Sequence, residues 1–324
     1  MRLNMKAWLL AVASSLAVAT PACAEDYPTH PVRLLVGYSP GGAMDAVARA
    51  LGQRLSQILK QPFIIENKPG AGGILAATQA TKAAADGYTL LVADSAQLAI
   101  APYLLKELPY DPIKDFTPIA RAVASTLILI SNSKTTNIKT LADLVSQAKA
   151  SPGTIDYASP GIGSLHHIAM EVFKSEAGIN LVHIPYKGAN EAVAALLGGQ
   201  VQVVLSGFTS VAPYAKSGQV NLLAVTTPKR YPGAPDVPAF SEFYKGFDYA
   251  GEVGILAPAG VPPEIVAKLS GAIRIALQGT EISEQFTKLG LIPIWLSSQD
   301  YADNIRDSLK KFKRGIELSQ VPRN

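Results

Sequence analysis

The chain has 324 residues, a formal net charge of +4, 48% hydrophobic residues and 17% charged ones. That is the composition of an ordinary soluble globular protein with ample core-forming residues, and at about 150 residues per domain it is long enough for two. Lys and Arg are scattered, which argues against nucleic acid as a partner, and the single cysteine, Cys23, excludes a disulfide framework and a Cys-metal site.

The first residues read as a targeting segment. Arg2 and Lys6 precede an almost wholly apolar run at 7–19, and Ala22-Cys23-Ala24 is a small-residue cleavage site. A cleavable signal peptide is expected over 1–24, with the cut before Glu25. Its removal takes away Arg2, Lys6 and Cys23, which leaves a net charge of +2 and no thiol. A lipoprotein anchored on Cys23 ranks second, because Thr20-Pro21-Ala22 lacks the expected Leu. No later stretch approaches the ~18 consecutive apolar residues of a membrane span.

Strand-like and helix-like stretches then alternate. Strands are expected at 32–36, 63–65 and 89–93, with helices at 45–59, 73–82 and 97–105 between and after them. This is the signature of a parallel sheet covered by helices. The run 106–118 holds Pro109, Pro112 and Pro118 and reads as a surface connection. The alternation restarts with strands at 127–130, 155–158, 182–184, 201–205 and 222–225. Helices at 140–149, 164–177, 191–197 and 211–216 lie between them, the first opened by a Thr140–Asp143 capping box. After a Pro- and Gly-rich stretch at 228–238 come a strand at 253–257, helices at 262–277 and 282–289, and a strand at 292–295. A last helix opens at Ser297 and runs to about 318. Two α/β halves joined near residue 125 would leave a ligand cleft between them.

Three strand-to-helix elbows are rich in glycine: Tyr38-Ser39-Pro40-Gly41-Gly42, Pro160-Gly161-Ile162-Gly163-Ser164, and Tyr186-Lys187-Gly188. Glycine keeps side chains away from the first N–H groups of the helix. Those groups have no internal partner and carry partial positive charge, so a carboxylate or phosphate can dock there. The plainer reading is that such turns carry Gly, Pro and Ser for geometry alone. Tyr38 and Tyr186 are either core-edge aromatics or cleft linings.

Other motifs carry less. Gly161-Ile162-Gly163 lacks the third glycine of a dinucleotide fingerprint. His166 and His167 are adjacent, so on a helix their rings point about 100° apart and do not share one metal easily; neither a metal nor a cofactor is expected. Ser164 and His167, with Asp45, could be drawn as the triad of a secreted serine hydrolase, but no G-x-S-x-G elbow supports it.

The blocks "YPTHPVRLLVGYSPGGAMDAVAR", "ENKPGAGG", "AADGYTLL", "LPYDPIKDFTPIA", "HIPYKGANEAVAALLGGQVQV" and "GILAPAGVP" run in order from Tyr27 toward the C-terminus. They resemble the substrate-binding proteins of tripartite tricarboxylate transporters, the Bug type. The resemblance implies a type II periplasmic binding protein, not an enzyme: two α/β lobes, a hinge of two crossing strands and an inter-lobe cleft. It further implies capture of one small organic carboxylate, delivery to a large and a small integral membrane subunit, and action as a monomer. Lobe 1 is expected to comprise 25–125 and 246–324, and lobe 2 to comprise 126–245. A ligand-sensing receptor of the same fold is the alternative.

By that resemblance the ligand is held by Tyr38, Ser39, Gly41, Gly42, Ala43 and Asp45 of the first elbow, and by Asp94 and Ser95 after the third strand. Gly161, Gly163, Ser164 and His167, the Tyr186–Gly188 block, and Ser206 supply the second lobe's share. Three positions depart from the family pattern: Asp94 stands where a small neutral polar residue is common, Ile162 where Asn is common, and Ser206 where Asp is common. A cleft lined by Asp94 repels a second carboxylate. The departures therefore favour a monocarboxylate with an apolar, aromatic or amine-bearing body over a tricarboxylate such as citrate.

Overall fold

The computed structural model describes residues 27–323. The expected signal peptide, its cleavage site and Cys23 lie outside the described residues. Among the described residues no helix is long and apolar enough to cross a membrane.

The chain builds two mixed sheets. The first contains β1 (Val32–Val36), β2 (Phe63–Asn67), β3 (Thr89–Asp94), β4 (Phe116–Ser125), β10 (Gly251–Pro258) and β11 (Leu291–Leu296), in the order β11-β4-β10-β3-β1-β2. The second contains β5 (Leu127–Asn132), β6 (Asp156–Ser159), β7 (Val182–Pro185), β8 (Val203–Gly207) and β9 (Val220–Val225), in the order β7-β6-β8-β5-β9. β1 lies parallel to β2 and β3, and β6 parallel to β7 and β8. These are the strands that the β-α-β reading anticipates.

The parallel reading holds for β1–β3, and β10, β11 and β5 add antiparallel pairs that make both sheets mixed. β10 runs antiparallel to β3 and β4, β11 antiparallel to β4, and β5 antiparallel to β8 and β9. All eight residues of β10 are buried, and apart from Glu252 none is polar, so its sequence carries no alternation from which direction could be read. β4 is a strand that the sequence reading missed, and the expected connection at 106–118 in fact ends inside it. Pro118 is tolerated because it sits opposite Leu256 at a register shift in the β4–β10 ladder.

Two segments join the sheets. β4 passes into β5 through Thr126, and β9 returns to β10 through 226–250. The crossing is laced by main-chain bonds: Thr126 N–H donates to Gly290 O (2.9 Å), Thr226 N–H to Leu127 O (3.0 Å) and Tyr249 N–H to Thr226 O (3.2 Å). Thr126 and Thr226 are both buried.

Helices cover both sheets: α1 (Ala43–Leu59), α2 (Ile74–Thr81), α3 (Leu141–Ala150), α4 (Leu165–Ala177), α5 (Ala189–Leu197), α6 (Phe208–Lys216), α7 (Pro263–Leu277), α8 (Thr280–Lys288) and α9 (Ser298–Ser319). The Thr140–Asp143 capping box forms as expected at the start of α3. The stretch after β3 opens as a π turn, Ala96–Ile100, before its short α-helical end at Ala101–Leu104.

α9 belongs to both cores. Tyr301 and Ile305 pack with Leu35, Ala77 and Leu91 against the first sheet. Phe312 and Ile316 pack with Ile168, Phe173 and Tyr249 against the second. Gly315 permits that second contact, since a Cβ there would come within 2.5 Å of Ile168 Cγ2. Phe312→Ala should therefore lower stability by about 3–5 kcal/mol. Lys310→Ala on the exposed face should stay within about 0.5 kcal/mol; urea denaturation of the two variants checks the difference.

Candidate functional site

The first elbow joins β1 to α1. Gly41 has φ +85°, a left-handed conformation suited to glycine. Gly37 lets two loops touch, since a Cβ there would lie 2.4 Å from Gly73 Cα. The loop is held from behind by Asp45, a buried residue in the first turn of α1. Its carboxylate accepts from Gly41 N–H (2.9 Å), from Arg49 Nε (2.8 Å) and from Asn67 Nδ2 (2.9 Å). Those bonds, the Arg49 one foremost, hold its pKa down at about 2. Asp45 thus spends its charge on the elbow. The N-cap of α1 is Gly42, which offers no side-chain acceptor, so the N–H groups at Ala43 and Met44 are left uncapped by side chains.

The second elbow joins β6 to α4. Gly161 (φ +138°) and Gly163 (φ +77°) shape it. Ser164 is the N-cap, and its Oγ accepts from His167 N–H at 3.2 Å. Gly163 N–H donates to His167 Nδ1 at 3.1 Å. The buried His167 ring stacks on His183 at 4.0 Å, and His183 stacks on Tyr157 at 4.8 Å while its Nε2 meets Ser159 Oγ at 2.7 Å. Burial pushes the pKa of His167 down, and that of His183 down to about 4. The neutral imidazole with Nδ1 as acceptor is the form that holds the Gly163 loop.

After β3 the chain turns at Asp94. Its Oδ1 accepts from Ala96 N–H (3.0 Å) and Gln97 N–H (3.3 Å), and its Oδ2 from the Tyr38 hydroxyl (2.6 Å). Burial raises the pKa of Asp94. Ser95 Oγ accepts from Glu252 N–H at 3.0 Å, which ties this turn to β10.

These turns meet at a cavity of about 360 Å³ between the two sheets. Ala43 and Met44 at the start of α1 form one wall, and Ser164, Leu165 and His166 at the start of α4 form another. Asp94, Ser95 and Ser125 add polar groups, while Val47, Leu127, Val253 and Leu291 supply apolar surface. Among the described residues no Lys or Arg lines it. The starts of α1, which has no side-chain cap, and of α4, where Ser164 caps only the His167 N–H, thus both line this cavity and bring partial positive charge to it.

Of the residues expected at the site, Ala43, Asp94, Ser95 and Ser164 line this cavity. Tyr38 is one bond away, through Asp94. Ser39, Gly41 and Gly42 are exposed on the elbow, Asp45 braces it, and Gly161, Gly163 and His167 form the loop behind Ser164. Tyr186 and Gly188 lie at the edge strand β7 and the start of α5, where the Tyr186 hydroxyl meets Gln200 Oε1 at 3.4 Å. Ser206 is fully buried in β8, with its Oγ unpartnered. His166, Met44, Ser125 and Glu252 line the cavity and were not anticipated. The sequence carried one signal for His166: adjacent helical histidines diverge, so when one ring enters the core the other faces out.

The hydrolase reading fails on geometry. Ser164 Oγ meets the main-chain N–H of His167, whose Nδ1 is occupied by Gly163 and whose ring is stacked in the core, and Asp45 is engaged by Arg49. Among the described residues there is no group of three or more metal-ligating side chains.

The architecture, with two α/β lobes, crossing strands and a cavity at the helix starts, is that of a type II periplasmic solute-binding protein. A family model described as "Tripartite tricarboxylate transporter family receptor" matches residues 47–320. BugT of Bordetella pertussis is 33% identical over 297 residues, 91% of each chain. Two solved structures are similar at 29% identity. R. palustris Rpa4515 with adipate has a TM-score of 0.76 and matches over 91% of this chain and 98% of that one. MatC (Rpa3494) from Rhodopseudomonas palustris with bound malate has a TM-score of 0.71 and matches over 90% and 100%. The chain belongs to the tripartite tricarboxylate transporter receptor family, in its Bug-type branch, and is a solute receptor rather than an enzyme.

The three histidines around the second elbow set a pH window. His166 on the cavity wall is pushed by burial to about 4, as is His183, and His167 is lowered as well. In the unfolded chain each titrates near 6.5, so between about pH 6.5 and 4 the unfolded state binds protons that the native state does not. Stability should fall as pH drops through that window. Thermal melts at pH 7, 5.5 and 4.5 check it, and a melting temperature that stays flat would contradict the assignment of neutral, buried rings.

Proposed function

We propose that this protein is exported to the periplasm, captures one small organic carboxylate in the inter-lobe cavity, and delivers it to the large and small membrane subunits of a tripartite transporter. It acts as a monomer, with lobe 1 formed by 25–125 and 246–324 and lobe 2 by 126–245. The observation that carries this reading is the meeting of the α1 and α4 starts at one cavity without a basic side chain. Backbone donors suffice for one carboxylate and leave binding reversible, as release to a membrane partner requires. The adipate and malate held by the two solved relatives are small organic carboxylates, each with two carboxylate groups.

The walls favour a ligand with one carboxylate. Once the helix starts hold that group, the remaining surface is mostly apolar and includes Asp94. A tricarboxylate would place further negative charge beside it with no Lys or Arg to offset the repulsion. The favoured body is apolar, aromatic or amine-bearing. Contacts made to both lobes at once give the ligand its preference for the closed form.

Thermal-shift screening tests the reading. A matching monocarboxylate at about 100 times its dissociation constant should add about 2.7 kcal/mol, a rise of about 5 °C for a chain of this size. Citrate should leave the melt unchanged. Strong stabilisation by citrate with none by monocarboxylates would overturn the preference. Asp45→Ala, which frees the Gly41 loop, should weaken binding by about tenfold or more, and titration calorimetry on that variant measures it.

A further inference from the structure

Two carboxylates line the cavity, and they differ in company. Glu252 has Arg121 Nη1 at 3.8 Å and Lys311 Nζ at 3.8 Å, with Ser308 Oγ at 3.1 Å and Asn304 Nδ2 at 3.3 Å. Its charge is offset inside the protein. Asp94 has no cation within ion-pair distance among the described residues. Its partners are two main-chain N–H groups and the Tyr38 hydroxyl, all neutral. Both Oδ1 bonds are filled from the loop, whereas Oδ2 accepts a single bond and retains a lone pair. A carboxylate out of water without a counter-charge is costly, and a cation delivered to it recovers that cost.

We infer that Asp94 is the specificity-determining residue of the cavity and that its ligand carries a protonated amine as well as a carboxylate. The inference rests on the carboxylate-receptor reading above. The carboxylate sits at the starts of α1 and α4, the ammonium meets Asp94 Oδ2, and Met44, Val47, Leu127 and Leu291 enclose an apolar body. The complex is then charge-balanced. A ligand with a second carboxylate meets Asp94 as a like charge and is rejected. Tyr38 is a positioning residue, since its hydroxyl fixes the carboxylate plane. The raised pKa of Asp94, which follows from its burial, fits a group whose ionised form lacks a partner until the ligand arrives.

Shape-matched probe pairs test this by titration calorimetry: leucine against 4-methylpentanoate, and 6-aminohexanoate against hexanoate. The wild-type protein should bind at least one amino member about 10- to 100-fold more tightly than its match, the size expected of a charge-assisted hydrogen bond. Asp94→Asn keeps the Oδ1 acceptor for the loop and presents Nδ2 to Tyr38, so the loop is conserved; Asp94→Thr is the second variant should Asn fail to fold. Each should reverse the ranking, weakening the amino member and strengthening the plain carboxylate. Equal binding within both pairs, or an amine preference that survives the substitution, would overturn the inference and leave the carboxylate receptor standing. If neither these probes nor any other carboxylate bound the wild-type protein, the receptor reading would fail, and this inference with it.

Discussion

Everything at the site depends on main-chain N–H groups at the start of one helix from each lobe, Ala43 and Met44 of α1 behind the side-chain-free Gly42 cap and Leu165 and His166 of α4, which the Ser164–His167 cap leaves untouched. A helix start is a weak anion site in water and a better one where water is excluded, because the partial charges then act through a lower dielectric. The cavity between the sheets, with largely apolar side chains on its walls, offers such a lower-dielectric setting. It also explains the absence of Lys and Arg from its wall. A guanidinium fork would bind a carboxylate more strongly but would make release to a membrane partner slower.

Holding the two helix starts in register needs bracing, and the braces lie behind the elbows. Asp45 ties Gly41, Arg49 and Asn67 into one network on the first lobe. His167 ties Gly163 on the second and is itself fixed in the stack with His183 and Tyr157. Both are polar groups whose hydrogen bonds to the loops hold the elbows in shape. The crossing at Thr126 and Thr226, with α9 lying across both cores, joins the two halves. The lobes are thus linked by the Thr126 step and the 226–250 segment, while the cavity lies between them.

Local features were legible in the sequence. The Thr140–Asp143 capping box and the glycines at 41, 161 and 163 are set by residues within a few positions of one another, so their chemistry can be read directly. Features decided by distant partners were not. β4 was hidden by Pro118, which is tolerated only because β10 shifts register beside it. The brace formed by Asp45 needs Asn67 from β2, and the sorting of His167 into the core and His166 onto the cavity wall is decided by His183 from β7. Antiparallel β10 looked like any buried strand, because burial on both faces removes the alternation that would betray its pairing. Sequence pattern reports what a residue does to its neighbours in the chain; the cavity wall is made where neighbours come from elsewhere.

The most direct measurement is a crystal structure of the protein with a carboxylate bound. The account predicts carboxylate oxygens about 2.7–3.2 Å from main-chain N–H groups at the starts of both α1 and α4, inside the cavity that Asp94 and His166 line. A ligand seated elsewhere, or one whose carboxylate is held by Lys or Arg side chains with the two helix starts facing solvent, would contradict it.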